Sequence, residues 1–352
     1  MANLETQVLD EIIVKGRRKL LTLGSAAIAG LVLGGTKEAK AATAYTDADI
    51  LNFALNLEYL EANYYYIAAF GCTIDTPNAA AIAAGAPTGG IPISSSTFVG
   101  TPGGPVSMTG ANMVNFTGQT AIGAYATETA IEEGKHVLFL QGALSSAAVA
   151  QPLINLTTAW QMLGGALTPA APTFSPYSSY AAFLLGAYVF EDVGVTAYHG
   201  AASLLTVSGN LSAAAGILGV EAYHAGLVRT TISTSTDPNI TGTVSTAVSI
   251  SNLRAALSKA GLLGSTTVPI NDTNPDDLGP SPVAVTLAGM TGYTSSKIVN
   301  CDATNAIAFA RNTTQVLNIV TGGGAVNGTT AVSPAKGIFY TNGMNAGPNG
   351  FK

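Results

Sequence analysis

Two Glu-x-x-His motifs constrain this chain more than any other feature of its sequence: Glu133 to His136 and Glu221 to His224. Both lie in long segments with helical periodicity. Residues three positions apart in a helix are separated by about 60° of rotation and about 4.5 Å of rise, so each carboxylate shares a face with its imidazole. Such a face can offer two ligands to one metal ion. A single motif of this kind is usually a solvated surface pair, so the motifs carry weight only together.

Two further helical segments each carry a glutamate inside an apolar stretch: Glu58 in the run LNLEYL and Glu191 in the run YVFE. One glutamate from each of two helices, plus Glu-x-x-His from each of two others, is the ligand set of a four-helix bundle that holds two metal ions. Bridging carboxylates offset the repulsion between two such cations. The predicted ligands are Glu58 and Glu191 as terminal groups, Glu133 and Glu221 as bridges, and His136 and His224, one for each metal.

Charged residues are scarce, which gives these positions more weight. They make up 10% of the chain, against about a quarter in an ordinary soluble domain. Lys135 and Arg229 are the only basic residues in the four helical segments. Uncompensated carboxylates inside an apolar bundle would be costly, so a metal pair is the simplest compensation. Carboxylate and imidazole ligands suit iron or manganese, and we expect two such ions, iron rather than manganese.

Other polar side chains lie close to the predicted ligands along the helices. Glu61 shares a face with Glu58, and Glu58 is preferred as the ligand because Tyr65 lies one heptad further along the same stripe. Glu132 and Glu128 are rotated by about 100° and about 140° from the glutamate of their motif and are expected to be solvated. The residues expected just outside the ligands are Glu61, Tyr65, Tyr198 and His199. For His199, a purely structural role and direct metal ligation are the alternatives.

The remaining sequence divides into a leader, a bundle and a long tail. Periodicity predicts four long helices over 46–70, 118–146, 179–205 and 211–232, within a bundle domain of residues 45–235. A Gly/Pro/Ser/Thr-rich inserted surface excursion spans 71–117, and a short helix is predicted over 152–163. The extension over 236–352 has Gly/Thr/Asn-rich loops, two helices predicted over 251–263 and 304–320, and a β-like stretch over 282–287. Cys72 and Cys301 form either a disulfide or two free thiols.

The N-terminus has the pattern of an export signal. Arg17 and Arg18 precede an apolar run over 20–36, and Ala-Lys-Ala at 39–41 is a small-x-small cleavage site, so residues 1–41 are predicted to be removed. The arginine pair favours the twin-arginine route, with an ordinary secretory signal or a single-span anchor as alternatives. We expect a periplasmic or extracellular protein with no membrane span after cleavage. Its formal net charge is then −8, which disfavours nucleic acid as a partner.

The residues around the motifs resemble a known family. The runs are DILNFALNLEYLEA at 49–62, ExxHVxFL at 133–140, GVEAxHA at 219–225, AIAFARNTTQVLNIV at 306–320 and FYxNG at 339–343. They are similar to the ferritin-like domain family that includes plant desiccation-related proteins, and in particular to exported bacterial members with a twin-arginine leader. The resemblance covers most of 45–232 and part of 303–345. It implies an all-α, ferritin-like four-helix bundle with the six predicted ligands in the family's ligand positions.

Two functions fit the sequence. The first is an exported di-iron or di-manganese protein that reacts with oxygen or peroxide, either oxidising Fe(II) or removing peroxide. The second is a non-enzymatic envelope or surface protein that keeps the bundle for structure or stress protection, with self-assembly or a homo-oligomer as its expected state. The 71–117 excursion and the long tail depart from compact ferritins, and we expect them to obstruct a hollow storage cage.

Overall fold

Helices dominate the computed structural model, which describes residues 45–103, 106–107, 113–260, 276–284, 294–322, 326–327, 330–331 and 337–347. The helices are α1 Asp47–Phe70, α2 Ala79–Ala84, α3 Thr120–Leu144, α4 Thr158–Ala166, α5 Tyr180–Ala202, α6 Ser208–Thr234, α7 Pro238–Thr241, α8 Val244–Ala260 and α9 Thr313–Val320. Two short antiparallel pairs join β1 Ser281–Ala284 to β2 Thr294–Lys297 and β3 Val326–Asn327 to β4 Thr330–Ala331. The predicted all-α fold is confirmed. The predicted leader lies outside the described residues.

Helices α1, α3, α5 and α6 form the bundle, and side-chain contacts fix their directions. On α1 and α3, Tyr59 meets Gln141 while Asn52 reaches the carbonyl of Ala147, so the two helices are antiparallel. On α5 and α6, His224 lies 3.6 Å from Glu191 and Arg229 bonds to Tyr188, so these two helices are antiparallel as well. The mid-points of all four helices therefore come together in the interior, where their glutamates lie.

Capping hydrogen bonds determine where these helices begin and end, and some of the capping groups are distant in the sequence. A capping box between Thr46 and Asp49 starts α1, and Gly71, with φ of 70°, ends it. Helix α6 begins at Ser208, three residues before the predicted start. Asp47 explains the difference, because its carboxylate accepts hydrogen bonds from the backbone of Thr206 and Val207 and from the side chain of Asn210. No local pattern around residue 208 reveals an acceptor on α1.

The described residues of the 71–117 segment pack against the bundle, although the sequence predicted a surface excursion. Its buried side chains include Ile74, Ile91 and Val114. Its backbone bonds back to the main body, from Val114 to the carbonyl of Ala68 and from Val99 to that of Ala148. The segment therefore covers the α1–α3 side of the bundle.

The C-terminal extension is also docked on the bundle, through a buried cluster of three arginines and three aspartates. Arg254 bonds to Asp192 and Asp277, and Arg311 bonds to Asp276 and Asp277. Arg229 completes the cluster on Asp192. Equal numbers of opposite charges, each with several hydrogen bonds, satisfy one another here.

The extension differs from its prediction in where its helices begin. Helix α9 starts at Thr313 because Asn312 and Gln315 form a capping box there. Asp302 holds the preceding residues in a turn by accepting from the backbone of Thr304 and Asn305. Helix α8 begins at Val244 rather than at 251, and α4 at Thr158 rather than at 152. Cys72 and Cys301 are both free thiols in this structure.

Two described helices, α5 and α6, are long and apolar enough to cross a membrane by length and composition alone. Buried core helices pass the same test. In both helices the glutamates Glu191 and Glu221 face the bundle interior, fully buried. Neither helix presents them to a surrounding solvent or lipid phase.

Candidate metal centre

The structure brings all six sequence-predicted ligands, with Glu61, into one buried cluster in the bundle interior. Helix α1 supplies Glu58 and Glu61, α3 supplies Glu133 and His136, α5 supplies Glu191, and α6 supplies Glu221 and His224. All seven residues are at most 8% exposed. The two Glu-x-x-His pairs face each other because each occupies the inner face of its helix. Whether these residues bind metal stays a prediction.

One half of the cluster is centred on His136. Its Nδ1 lies 3.3 Å from Glu58 Oε2, 3.3 Å from Glu133 Oε2 and 3.7 Å from Glu221 Oε1. Ligand atoms of these four residues lie within 4.8 Å of one another. The group can therefore surround one cation.

The other half is centred on His224. Its Nδ1 lies 3.0 Å from Glu133 Oε1 and 3.6 Å from Glu191 Oε2. Glu133 thus directs one oxygen toward His136 and the other toward the ring of His224. That is the placement a bridging carboxylate requires, because its two oxygens must reach two different cations.

A third group joins Glu61 to Glu191 and Glu221, again with ligand atoms within 4.8 Å. Glu221 therefore belongs both to the His136 half and to this group. Both Glu58 and Glu61 enter the cluster from α1, and the preference for Glu58 as the ligand stays a prediction. Their spacing of three residues already placed them on one face.

Two tyrosines bond to the terminal carboxylates in a crossed arrangement. Tyr198 on α5 donates to Glu58 on α1, and Tyr65 on α1 donates to Glu191 on α5. Each tyrosine lies seven residues after the glutamate of its own helix, yet contacts the glutamate of the other helix. Tyr125, on α3, lies 3.3 Å from Tyr65 through the two hydroxyl groups. The sequence indicated both partners but not the crossing.

Glu132 is a contact that the sequence did not predict. Its Oε2 lies 2.7 Å from Nε2 of His224, so the ring donates outward to Glu132 while its Nδ1 faces the cluster. Glu132 remains partly exposed, with 36% of its side-chain surface accessible, while its rotation away from Glu133 turns it toward the neighbouring helix α6. Its position directly before the motif was the available signal. Glu128 is exposed, as expected.

His199 makes a contact of the kind that the structural alternative predicts, and its role stays a prediction. Its Nδ1 donates to the carbonyl oxygen of Phe309 at 3.2 Å, which ties α5 to the C-terminal extension. Tyr198, one residue earlier, contacts Glu58, and the step of about 100° around α5 turns His199 away from that direction.

Five carboxylates and two imidazoles share this interior, and their electrostatics reflect the excess of negative charge. Burial raises the pKa of Glu58 to about 7 and the pKa of Glu221 well above its ordinary value. Burial alone would lower the pKa of His136, but Glu58 and Glu133 outweigh it and raise that pKa to about 12. Divalent cations would supply the positive charge that the protein itself lacks here.

The residues fit a pair of metal ions. Atoms that lack a hydrogen-bond partner among the described residues include Glu58 Oε2, Glu133 Oε1, Glu191 Oε2, both Glu221 oxygens and His224 Nδ1. Buried polar atoms are normally satisfied, so this concentration of unsatisfied donors and acceptors requires an explanation. The set combines carboxylate and imidazole without thiolate, which suits iron or manganese.

Fold and site together define a class: a four-helix bundle whose interior gathers buried carboxylates and paired histidines, a set compatible with metal binding. A family model described as the ferritin-like domain matches residues 46–234. The chain belongs to this family. It is similar, at 30% identity over 187 residues, to the desiccation-related protein PCC13-62 of Craterostigma plantagineum, with 52% of each chain covered. The chain thus spans about half the length of that relative. A search of solved structures finds no match.

Proposed function

We propose that this ferritin-like protein holds two iron or manganese ions, iron preferentially, and reacts with oxygen or peroxide. The observation that carries the proposal is the placement of Glu133, whose two oxygens lie near the two histidines of different helices. His136 and Glu58 would hold one ion, and His224 and Glu191 the other. Glu133 and Glu221 would bridge them.

Bound iron or manganese would supply the electrons that oxygen or peroxide takes up, in Fe(II) oxidation or peroxide removal. The protein's own residues fix the ligands. Tyr198 and Tyr65 hold one oxygen of Glu58 and Glu191, which leaves the other oxygen of each unpartnered and turned inward. Glu132 orients the ring of His224. A stress-protective role is consistent with the printed name of the desiccation-related relative.

Export is part of the proposal. The paired arginines and apolar run within residues 1–41 support a twin-arginine leader and a periplasmic or extracellular location. That route transports folded proteins, so a metal loaded in the cytoplasm would be carried across the membrane inside the bundle.

Elemental analysis of protein matured in the cytoplasm tests the metal site. Wild-type protein is expected to contain two iron or manganese ions per chain, and the Glu133→Gln/Glu221→Gln variant to lose both. Glu128→Gln is the matched control, since Glu128 is exposed on the same helix α3. Wild-type protein that stays metal-free after iron and manganese are supplied, and that melts at the same temperature with and without them, would exclude the proposal.

A structural, self-assembling protein is the second candidate. Its support is an apolar set of exposed side chains on α3 and α6: Phe139, Tyr223 and Leu227 are each 48% exposed or more. Sedimentation of the wild type beside a Tyr223→Ser/Leu227→Ser variant tests it. This function predicts that the wild-type protein sediments as an oligomer and that the variant sediments as a smaller species. If the wild type and the variant both sediment as monomers, the structural function is contradicted.

A further inference from the structure

An elongated apolar cavity lies directly beside the metal centre. It contains about 1060 Å³ of space unoccupied by atoms, its opening included. Along α1 its lining runs from Ile50 to Glu61, and along α5 from Val189 to Ala201. At about 1.5 Å per residue these stretches correspond to about 16 Å and about 18 Å. The cavity is therefore long in the direction of the bundle axis.

Small residues on the bundle helices keep this space open. Ala54 on α1 and Ala197 and Ala201 on α5 line it, where larger apolar side chains would fill it. The rest of the wall is largely aliphatic and aromatic. An apolar cavity of this kind holds water poorly and takes up apolar molecules instead.

The C-terminal extension builds the far wall. Helix α8 contributes Leu253 and Leu257, helix α9 contributes Ile319 and Val320, and Phe339 follows from the end of the chain. The buried arginine–aspartate cluster holds these helices in place. A bundle without the extension would have an open apolar face here, so the extension converts a surface into an enclosed site.

One wall of the cavity belongs to the metal centre itself. Glu58, Glu61 and Tyr198 line it, on the side of α1 and α5 that carries the terminal carboxylates. A molecule that fills the cavity would thus place part of its length against these groups.

A second, smaller cavity of about 550 Å³ adjoins the first. The two share Ile50, Phe53, Ala197 and Ala201 as lining residues. Asp49, Arg311, Asn312 and Thr313 add polar groups to its lining. The two cavities together form a largely apolar site, with polar groups at the metal centre in the first cavity and around Asn312 and Thr313 in the second.

We propose that this site binds an unbranched acyl chain, as in a fatty acid or a lipid, with the chain in the long cavity and its polar end in the smaller one. The inner part of the chain then lies against Glu58 and Glu61. The proposal that an acyl chain binds depends only on the cavity. The proposal that the bound acyl chain can react at the adjacent metal centre rests on the function proposed above. The acyl chain is therefore a candidate substrate or bound ligand of the metal protein.

Titration of saturated fatty acids of about 8 to 18 carbons into the full chain tests the proposal, by displacement of a fluorescent fatty acid from metal-free and metal-loaded protein. Affinity is expected to rise by about fourfold per added methylene until the cavity is filled. Ala54→Phe and Ala197→Phe, which fill the cavity, are expected to weaken binding by at least about tenfold. Ala124→Phe, at an exposed position of α3, is the control and should bind as wild type.

A second measurement needs no variant. With Mn(II) bound, paramagnetic relaxation of a ¹³C-labelled fatty acid should be strongest at the inner end of the chain and weakest at its carboxylate. Failure of every fatty acid to bind folded wild-type protein would overturn the proposal, as would equal binding by the filled variants. If Ala54→Phe and Ala197→Phe bind fatty acid as well as the wild type but react more slowly with oxygen, the cavity serves as a path for oxygen and the acyl-chain proposal is overturned. Retention of both metal ions in Glu133→Gln, with acid binding intact, would count against the metal function alone.

Discussion

Glu132 Oε2 lies 2.7 Å from Nε2 of His224. This contact fixes which nitrogen of the ring faces the cluster, because a ring that donates outward through Nε2 presents Nδ1 inward as an acceptor. It also distinguishes the two halves of the centre, since the residue before Glu221 is Val220, which has no carboxylate to offer.

Glu132→Gln is expected to lower metal affinity at the His224 half by about 10-fold to 100-fold, because an oriented, more basic imidazole is a better ligand. Stepwise Mn(II) titration followed by electron paramagnetic resonance measures the two halves in turn. Glu128→Gln, on the exposed face of α3, serves as the control. Equal affinities in the two variants would show that the contact does not orient the ring.

Replacing either of the two crossed tyrosines, Tyr198 or Tyr65, is expected to weaken metal binding in only one half of the centre. Tyr198→Phe removes the hydrogen bond to Glu58 and should weaken the His136 half, while Tyr65→Phe should weaken the His224 half. A lost hydrogen bond of about 1 kcal/mol corresponds to about fivefold. Calorimetric titration resolves the two steps, and Tyr223→Phe, 77% exposed on α6, should change neither. Identical effects of the two interior variants would contradict the crossed arrangement.

Gly194 leaves room for the bridging carboxylate of Glu221. A Cβ at this position would lie 2.1 Å from Glu221 Oε2. Gly194→Ala is therefore expected to displace Glu221 and to reduce the metal content to one ion per chain or fewer. Gly219→Ala on α6 meets no atom within 4 Å and should raise stability by about 0.5–1 kcal/mol, the ordinary gain of replacing glycine in a helix. Full metal content in Gly194→Ala would contradict this placement of Glu221.

The carboxylate of Asp47 is expected to stabilise the folded protein by an amount that depends on pH. Burial alone would raise its pKa, but hydrogen bonds from Thr206, Asn210 and Val207 lower that pKa to about 2. A lowered pKa stabilises the folded state above the unfolded value of 3.8, and the gain is lost as the pH falls through about 2. Asp47→Asn should thus lower the melting temperature of metal-free protein at pH 7, with a difference that narrows in acid. A constant difference down to about pH 2 would contradict the assignment.

The sequence was sufficient for the parts of the structure that depend on periodicity. The inner faces of four helices and the glutamates and histidines on them could be predicted, because spacing along one helix determines which residues share its face. Glu61 was recognised as a neighbour of Glu58 but not as a member of the cluster. That distinction depends on how closely α1 approaches α5 and α6, which no single helix specifies.

Contacts between segments that are distant in the sequence could not be predicted from it. Glu132 contacts His224 across 92 residues, and Asp47 holds the start of α6 across 160. The docking of the extension depends on a charge cluster whose members, Arg254 and Arg311 among them, have no local pattern. Each of these features follows from the packing of helices and not from the period of one.

Anomalous X-ray scattering from crystals of the iron-loaded protein locates the metal ions directly. Two peaks at the iron edge are expected inside the bundle, one beside Nδ1 of His136 and one beside Nδ1 of His224, with Glu133 contacting both. A single peak, or peaks away from these two nitrogen atoms, would contradict this expectation.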